Sequence, residues 1–244
     1  MRPPPARRTP PATVRTVVSW SSGKDSAYAL HVLRADRARH VVGLVTTVST
    51  PYDRVSMHGV RRALLDQQAR ATGLPVHTVE IPSPCSNIDY ERAMRAVVDR
   101  LVATGVQEIA FGDLFLEEIR AYRTERLTGT GLRPIFPLWG RSTSALASEI
   151  LRAGFDARIV CVDPRKIDRS FAGRRYDGAL LAELPPEVDP CGENGEFHTC
   201  VVGGPVFRHP ISVRAGPVVE REGFVFADLI PRIGPRRPPR GRTA

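Results

Sequence analysis

The sequence predicts an open parallel β-sheet with helices on both faces, joined to a smaller C-terminal α+β subdomain. Three observations carry this expectation. Between residues 14 and 113, apolar runs of strand length alternate with longer stretches of helical periodicity, the pattern of βα units. The strand-length runs are almost continuously apolar rather than alternating, as befits strands buried on both faces. Over the last ninety residues that regularity gives way to turns such as "GENGE" and "VVGGPV" between short strand-like runs.

Taken in order, "VRTVVSW" (14–20) reads as a buried strand, and "DSAYALHVLRA" (25–35) sets Ala27, Leu30 and Leu33 at helical spacing. "HVVGLVTTV" (40–48) is the second strand, followed by a polar loop, "STPYDRVSMHG". Residues 58–72 read as a helix and "LPVHTVEIP" (74–82) as the third strand. In residues 88–105, Tyr90, Met94, Val97, Val98 and Leu101 mark one helical face that ends before Gly105. "VQEIAFGD" (106–113) is the fourth strand. Beyond it, residues 114–131 are helical, with Phe115, Ile119 and Tyr122 on one side, and the Pro-punctuated "LRPIFPLWG" reads as a connection. "STSALASEILRAG" is a capped helix and "FDARIVCVD" a strand, and "EFHTCVV" and "GFVFADL" are short strands of the subdomain. The expected division is a basic tail over 1–13, an α/β domain over 14–138, a C-terminal subdomain over 139–231 and a second basic tail over 232–244.

Composition excludes several classes. With 244 residues, 42% hydrophobic and 25% charged, the chain has the balance of a globular protein with a sizeable core. No apolar run has the length of a membrane span, and the basic N-terminal segment lacks a hydrophobic stretch behind it, so a cytoplasmic protein is expected. The net charge of +9 is carried by the ends. Residues 1–15 hold four arginines and residues 232–244 five, with no acid in either; without these nine of the 35 basic residues, 26 face 26 acids. The body is neutral, which argues against specific nucleic-acid binding, and the Pro- and Arg-rich tails have the composition of solvated, disordered extensions. Cys85, Cys161, Cys191 and Cys200 show no zinc-finger spacing and read as reduced thiols.

The chemistry concentrates at residues 21–26, "SSGKDS", between the first strand and the first helix. In an open parallel sheet, ligands bind outside the carboxyl ends of the strands, where the strand order reverses. The unpaired N–H groups of a helix start favour an anion there. Ser21, Ser22 and Ser26 add hydroxyls, Gly23 permits an unusual backbone angle, and Lys24, one of only two lysines in the chain, supplies a flexible cation. Three phosphate or acyl patterns fail. A Walker A loop needs Gly five residues before Gly23, where Val18 stands, and Ser or Thr after the lysine, where Asp25 stands. The Ser21-x-x-Lys24 pair lacks the Lys-Thr-Gly strand of the penicillin-recognising acylases, because Lys166 precedes Ile167 and Asp168. A Gly-x-Gly-x-x-Gly fingerprint is absent.

What fits is the S-G-G-x-D-S pyrophosphate loop: "SSGKDS" after a strand resembles that of the N-type ATP pyrophosphatases, with Ser22 where that group usually has its first Gly. Further blocks, "MHGVRRALLDQQARATGLPV" (57–76), "AFGDLFLEEIRAYRTERL" (110–127), "PIFPLW" (134–139) and above all "CGENGEFHTCVVGGPVF" (191–207), resemble in order the diphthine–ammonia ligase family. The resemblance runs from Val14 to Phe207. It implies a HUP-like nucleotide-binding domain of the adenine nucleotide alpha hydrolase type. It also implies ATP as substrate with magnesium, and AMP-forming conversion of a carboxylate to an amide by ammonia. The nucleotide would lie against Ser21, Ser22, Gly23, Lys24, Asp25, Ser26, Gly112 and Asp113, with Asp25 serving ATP-bound magnesium. Lys24, Asp25, Glu193, Asn194 and Glu196 are the candidate catalytic residues, since two carboxylates and an amide on a Gly-containing turn can hold ammonium and take its proton. Arg123, Glu125, Trp139 and His58 are further candidates for ligand contact. The acceptor stays open between a diphthine carboxylate on elongation factor 2 and a small-molecule carboxylate such as a corrinoid side chain in a bacterium. A non-catalytic ATP-binding regulator and a plain nucleotide hydrolase are the alternatives.

Overall fold

A computed structural model of the chain describes residues 13–232. The two tails expected to be disordered lie, but for residues 13 and 232, outside the described residues.

Strand β1 (Val14–Ser19) leads into helix α1 (Lys24–Ala35), and β2 (Arg39–Ser49) is followed by the two-residue strand β3 (Arg54–Val55) and α2 (Arg62–Thr72). Then come β4 (Val76–Ile81), α3 (Asn87–Ala103), β5 (Glu108–Ala110), α4 (Glu117–Leu127) and β6 (Arg133–Ile135). Strands β4, β2, β1, β5 and β6 pair in that order, every pair parallel. Strand β3 pairs antiparallel with the end of β2. From β1 the chain first builds outward through β2 and β4, then returns to add β5 and β6 on the other side. The reversal places the loops after β1 and after β5 side by side at the carboxyl edge of the sheet, the position at which such sheets bind ligands.

Helix α5 (Thr143–Arg152) leads to a second, antiparallel sheet, built in the order β8 (Phe197–Gly203), β7 (Asp156–Val162), β10 (Phe224–Pro231), β9 (Val213–Arg221), with the short helix α6 (Gly178–Glu183) in the β7–β8 connection.

Successive residues of a strand point to opposite faces, and β1 divides its core accordingly. Val17 packs with Val45, Val79 and the α3 residues Val97, Val98 and Leu101. Val18 packs with Leu30, Leu44 and Leu64, in a cluster continuous with Ile159, Val201 and Val225 of the second sheet. The antiparallel sheet therefore shares one core with α1 and α2. Two ion pairs fasten it to the β3 region: Asp228, nearly buried, takes Arg54 at 2.9 Å and Arg61 at 2.5 Å.

Three expectations about elements are corrected. Residues 133–135, read as part of a Pro-punctuated connection, form the edge strand β6, where the missing N–H of Pro134 is tolerated. The second helix starts at Arg62 rather than at residue 58, because residues 54–61 turn back on themselves through Val55 N to Val60 O at 2.8 Å. Strand β9, which sequence patterning missed, is mostly exposed and therefore carries no clear alternation of apolar and polar residues.

Candidate active site

The loop between β1 and α1 is held from inside and from behind. Ser21 Oγ lies 3.2 Å from Ser26 Oγ and accepts from Gly23 N at 3.3 Å, and Ser26 Oγ donates to Gly23 O at 3.0 Å. From behind, Val201 N of β8 donates to Ser22 O at 2.9 Å, and Lys24 N donates to Thr199 Oγ1 at 3.0 Å. The fully buried Gln68 completes the support. It accepts from Trp20 Nε1 at 3.0 Å and donates to Val201 O at 2.8 Å and Ser22 O at 3.2 Å. Sequence reasoning passed over Gln68 because an amide on an amphipathic helix reads as surface.

The unusual backbone angle in this loop belongs to Ser22, with φ +71°, and not to Gly23, whose φ of −89° any residue adopts. Ser22 thus takes, at the position where the pyrophosphate loop usually has its first glycine, the left-handed conformation that favours glycine. Its hydroxyl is buried without a hydrogen-bond partner. Gly23 is needed for space instead: a Cβ there would lie 2.8 Å from the His58 ring and 3.2 Å from Thr199 O. Replacing Ser22 by Gly relieves both the backbone strain and the orphaned hydroxyl, at the cost of a more flexible unfolded chain. We expect the Ser22→Gly variant to be more stable by up to about 1 kcal/mol in urea unfolding; a loss of stability would refute this reading of the loop.

Lys24 is not the flexible cation expected of it. It is 1% exposed, with its ammonium on Asp25 Oδ2 at 3.0 Å and on the Cys191 carbonyl, and it lies 5.2 and 5.4 Å from the ring centroids of Tyr176 and Phe197. Burial alone would lower its pKa, but the Asp25 carboxylate leads the opposing attractions and the net direction is upward, so the group stays charged. Asp25 has its second oxygen, Oδ1, buried without a partner.

Gly112 follows β5. A Cβ at Gly112 would come within 3.0 Å of the Asp25 carbonyl carbon and of Ser26 N, so its bareness lets the β5 end lie directly on the α1 start. Both obstacles are backbone and cannot swing away. We expect Gly112→Ala to cost about 1–3 kcal/mol in urea unfolding and to weaken nucleotide binding; unchanged values for both would show that the loop can shift freely. Asp113, next in line, is engaged by Arg123, with Nη2 to Oδ1 at 3.0 Å and Nε to Oδ2 at 2.7 Å, and the Arg123 guanidinium lies 4.3 Å from the Phe111 ring centroid.

The third wall is the turn at 191–199. Glu193 Oε1 accepts from Leu114 N at 2.7 Å, which docks this carboxylate on the segment just after Asp113. Burial, reinforced by the charges of Asp25 and Asp113, pushes its pKa up to about 7, against the backbone hydrogen bond and Lys24. Asn194 and Glu196 are placed differently. Asn194 Nδ2 donates to Glu196 Oε1 at 3.1 Å, and the same oxygen accepts from Asp189 N at 3.0 Å, so both side chains brace the turn. Asp189, which sequence reasoning missed, accepts from Cys191 N at 2.8 Å and Glu193 N at 3.2 Å.

These walls enclose one cavity of about 870 Å³, lined by Ser21, Lys24, Asp25, Ser26, Gly112, Asp113 and Glu193, but not by Ser22, Gly23, Asn194 or Glu196. His58, Arg123 and Glu125 also line it, whereas Trp139 packs outside it, with Arg120 4.6 Å above its ring. Between α3 and α4 the cavity has an apolar and aromatic wing formed by Tyr90, Met94, Ile119 and Tyr122. His58 and His198 stack at 4.6 Å between centroids, and His58 Nδ1 donates to Thr199 O at 3.0 Å. Burial, the largest influence on each, depresses their pKa values to about 4 and about 3, so both rings are neutral near pH 7. Among the described residues no helix is long and apolar enough to cross a membrane, and no group of three or more His, Cys, Asp or Glu side chains is arranged to hold a metal ion.

A parallel sheet whose strand order reverses beside a Ser-rich loop, with a large cavity at that edge and an antiparallel sheet closing one side, defines an α/β protein of the HUP-like class. Residues 14–134 match the family model of the diphthamide synthase N-terminal domain and residues 142–228 that of the C-terminal domain, and the chain belongs to the diphthamide synthase family; relatives that it resembles are named diphthine–ammonia ligases. It is 26% identical to the diphthine–ammonia ligase of Danio rerio over 245 aligned positions, covering 88% of this chain and 92% of that one. The Homo sapiens enzyme of the same name is likewise 26% identical, over 88% of this chain and 89% of its own. The Schizosaccharomyces pombe diphthine–ammonia ligase is 29% identical over 94 positions, covering 37% of this chain and 16% of its own length.

Proposed function

We propose that the chain is an ATP-dependent ammonia ligase that adenylates a carboxylate and converts it to an amide, with residues 14–138 binding the nucleotide and 139–231 supplying the ammonia-handling turn. The observation that carries this reading is the placement of the Glu193 carboxylate on Leu114 N, in the wall of the cavity that Ser21, Lys24, Asp25 and Ser26 also line. A group able to exchange a proton near neutrality therefore stands beside a candidate triphosphate site.

An acceptor carboxylate oxygen attacks the α-phosphorus of ATP, the bond to the β-phosphate oxygen breaks, and pyrophosphate leaves. The hydroxyl of Ser21 and the N–H groups of Asp25 and Ser26 in the first turn of α1 stabilise the departing charge. Ammonia then attacks the acyl carbon, the bond to AMP breaks, and the proton lost by nitrogen passes to the Glu193 carboxylate. Asn194 and Glu196 fix the turn from which Glu193 projects. The residues present suit magnesium bound to the nucleotide: Asp25 Oδ1 is an oxygen without a protein partner, and the remaining positions of the ion would be filled by phosphate and water, as magnesium prefers. Such an ion supplies charge neutralisation at the phosphates.

The relatives' name makes a diphthine carboxylate the first candidate acceptor, tested on elongation factor 2, and a small-molecule carboxylate such as a corrinoid side chain the comparison. The test incubates the protein with α-labelled ATP, magnesium and ammonium, with each acceptor in turn. AMP and pyrophosphate released only with an acceptor, together with an amide product, support the ligase. ADP as product, or tight ATP binding without turnover under every condition, sinks it in favour of a hydrolase or a regulator.

A further inference from the structure

The chain holds two lysines among 35 basic residues, and both ammonium groups are bound to carbonyls of the same five-residue turn. Lys24 reaches the Cys191 carbonyl from α1, and Lys166 Nζ donates to Asn194 O at 2.5 Å from the loop after β7. Glu193 lies between the two anchored carbonyls.

The setting of Lys166 shows that its charge is not used chiefly for an ion pair. Its neighbour Arg165 already holds both oxygens of the buried Asp163, with Nε to Oδ1 at 2.8 Å and Nη2 to Oδ2 at 2.8 Å. Lys166 stands off that carboxylate at 4.0 Å and turns to the single carbonyl instead. A planar guanidinium matches two carboxylate oxygens, whereas a compact ammonium suits one carbonyl oxygen. The two adjacent cations are thus divided by geometry. The loop itself is fixed to the same turn by Asp163 N donating to Glu196 O at 2.9 Å, so Lys166 acts from a firm base.

We propose that Lys166 is a positioning residue for the 191–195 turn and, through it, for the Glu193 carboxylate. The inference rests on the reading of Glu193 given above only for its catalytic meaning; the mechanical claim stands apart from it. Cys191 N and Glu193 N are held by Asp189, and Gly195 N donates to Gly192 O at 3.1 Å. Loss of the Lys166 anchor frees the distal half of this turn while the Lys24 end stays tied.

The test uses the full chain and needs no acceptor. Amide hydrogen exchange over residues 189–197 is compared between wild type, Lys166→Met and Lys166→Arg. We expect Lys166→Met to speed exchange in this segment about tenfold, the size of one charge-assisted hydrogen bond, with β7 and the rest of β8 unchanged. Lys166→Arg, which keeps a charged donor but in a fork less suited to one carbonyl, should restore part of the protection. The second readout is the titration of the Glu193 carboxyl carbon by NMR, assigned through its loss in Glu193→Gln. Asp25, Asp113 and Lys24 are the charged groups acting on Glu193, from the α1 start and the β5 end. If Lys166 acted on it by charge alone, removing that charge would raise the midpoint. If Lys166 acts by position, the loosened carboxylate gains water and the midpoint falls toward the ordinary glutamate range. Unchanged exchange, or a midpoint that stays or rises, overturns the proposal. A loosened turn in a protein that forms no amide would leave Lys166 its role and overturn the functional reading alone.

Discussion

Replacing Lys24 by Met should lower the stability of the protein by about 3 kcal/mol and abolish ATP-dependent turnover. Breaking a buried ion pair by removing one partner leaves the other charge uncompensated, which is why the loss exceeds the net value of the pair itself. The lower end of the usual range applies, because burial already raises the Asp25 pKa and its carboxyl can take up a proton once the ammonium is gone. For a chain of this size that loss corresponds to a fall in thermal midpoint of about 6–12 °C. The effect on turnover has a separate origin. Lys24 connects α1 to the Cys191 carbonyl, so its removal lets the loop and the Glu193 turn drift apart even where the fold survives. Lys24→Arg decides between charge and shape. The ammonium sits between the rings of Tyr176 and Phe197 in space that a guanidinium overfills. The Arg variant should therefore be destabilised as well, and inactive. A Lys24→Arg protein as stable and active as wild type would show that only the charge matters.

The division between what the sequence disclosed and what it withheld follows the range of the interactions. The parallel sheet was legible because strands buried on both faces are rich in apolar residues along their centres, as Val17 and Val18 of β1 and residues 41–45 of β2 are, whereas β4, with His77, Thr78 and Glu80, shows only Val79 and Ile81 buried. Strand β6 was hidden by Pro134, whose missing N–H is harmless only at a sheet edge, and edge position is a property of topology. In the loop, the local pattern located the residues but misassigned the strained angle. A glycine in a turn invites that reading, and only the approach of His58 and Thr199 from distant segments shows that Gly23 is there for space. Gln68 and Asp189 were invisible for the same reason: their partners lie at Trp20, Ser22 and Val201 in one case and depend on the path of a turn in the other. Of the block at 191–207, the sequence named three polar residues, while folding turned Glu193 to the cavity and Asn194 and Glu196 to each other.

Glu193→Gln should leave ATP binding within about threefold of wild type and lower the rate of amide formation by about 10²–10⁴. Glutamine retains the carbonyl that accepts from Leu114 N, so the turn keeps its docking point, but it cannot take a proton from the attacking nitrogen. The pH profile separates this role from a positional one. With a midpoint near 7, the wild-type rate at constant free ammonia should rise as Glu193 ionises between about pH 6 and 8, and the residual rate of the variant should lack that limb. Stability must move in the opposite direction. The folded-state pKa lies above that of the unfolded chain, so the folded protein retains a proton that the unfolded chain has already released, and native stability falls as pH rises from about 4.5 to about 7. The variant carries no such proton, so relative to wild type it should be more stable at pH 8 than at pH 5. The rate is thus half-risen near pH 7, the same pH at which the stability loss levels off, and the two slopes have opposite signs. A wild-type rate that is flat across neutrality, or a Gln variant that keeps the ascending limb, would remove Glu193 from proton transfer and leave it as a structural clasp between the turn and the end of β5.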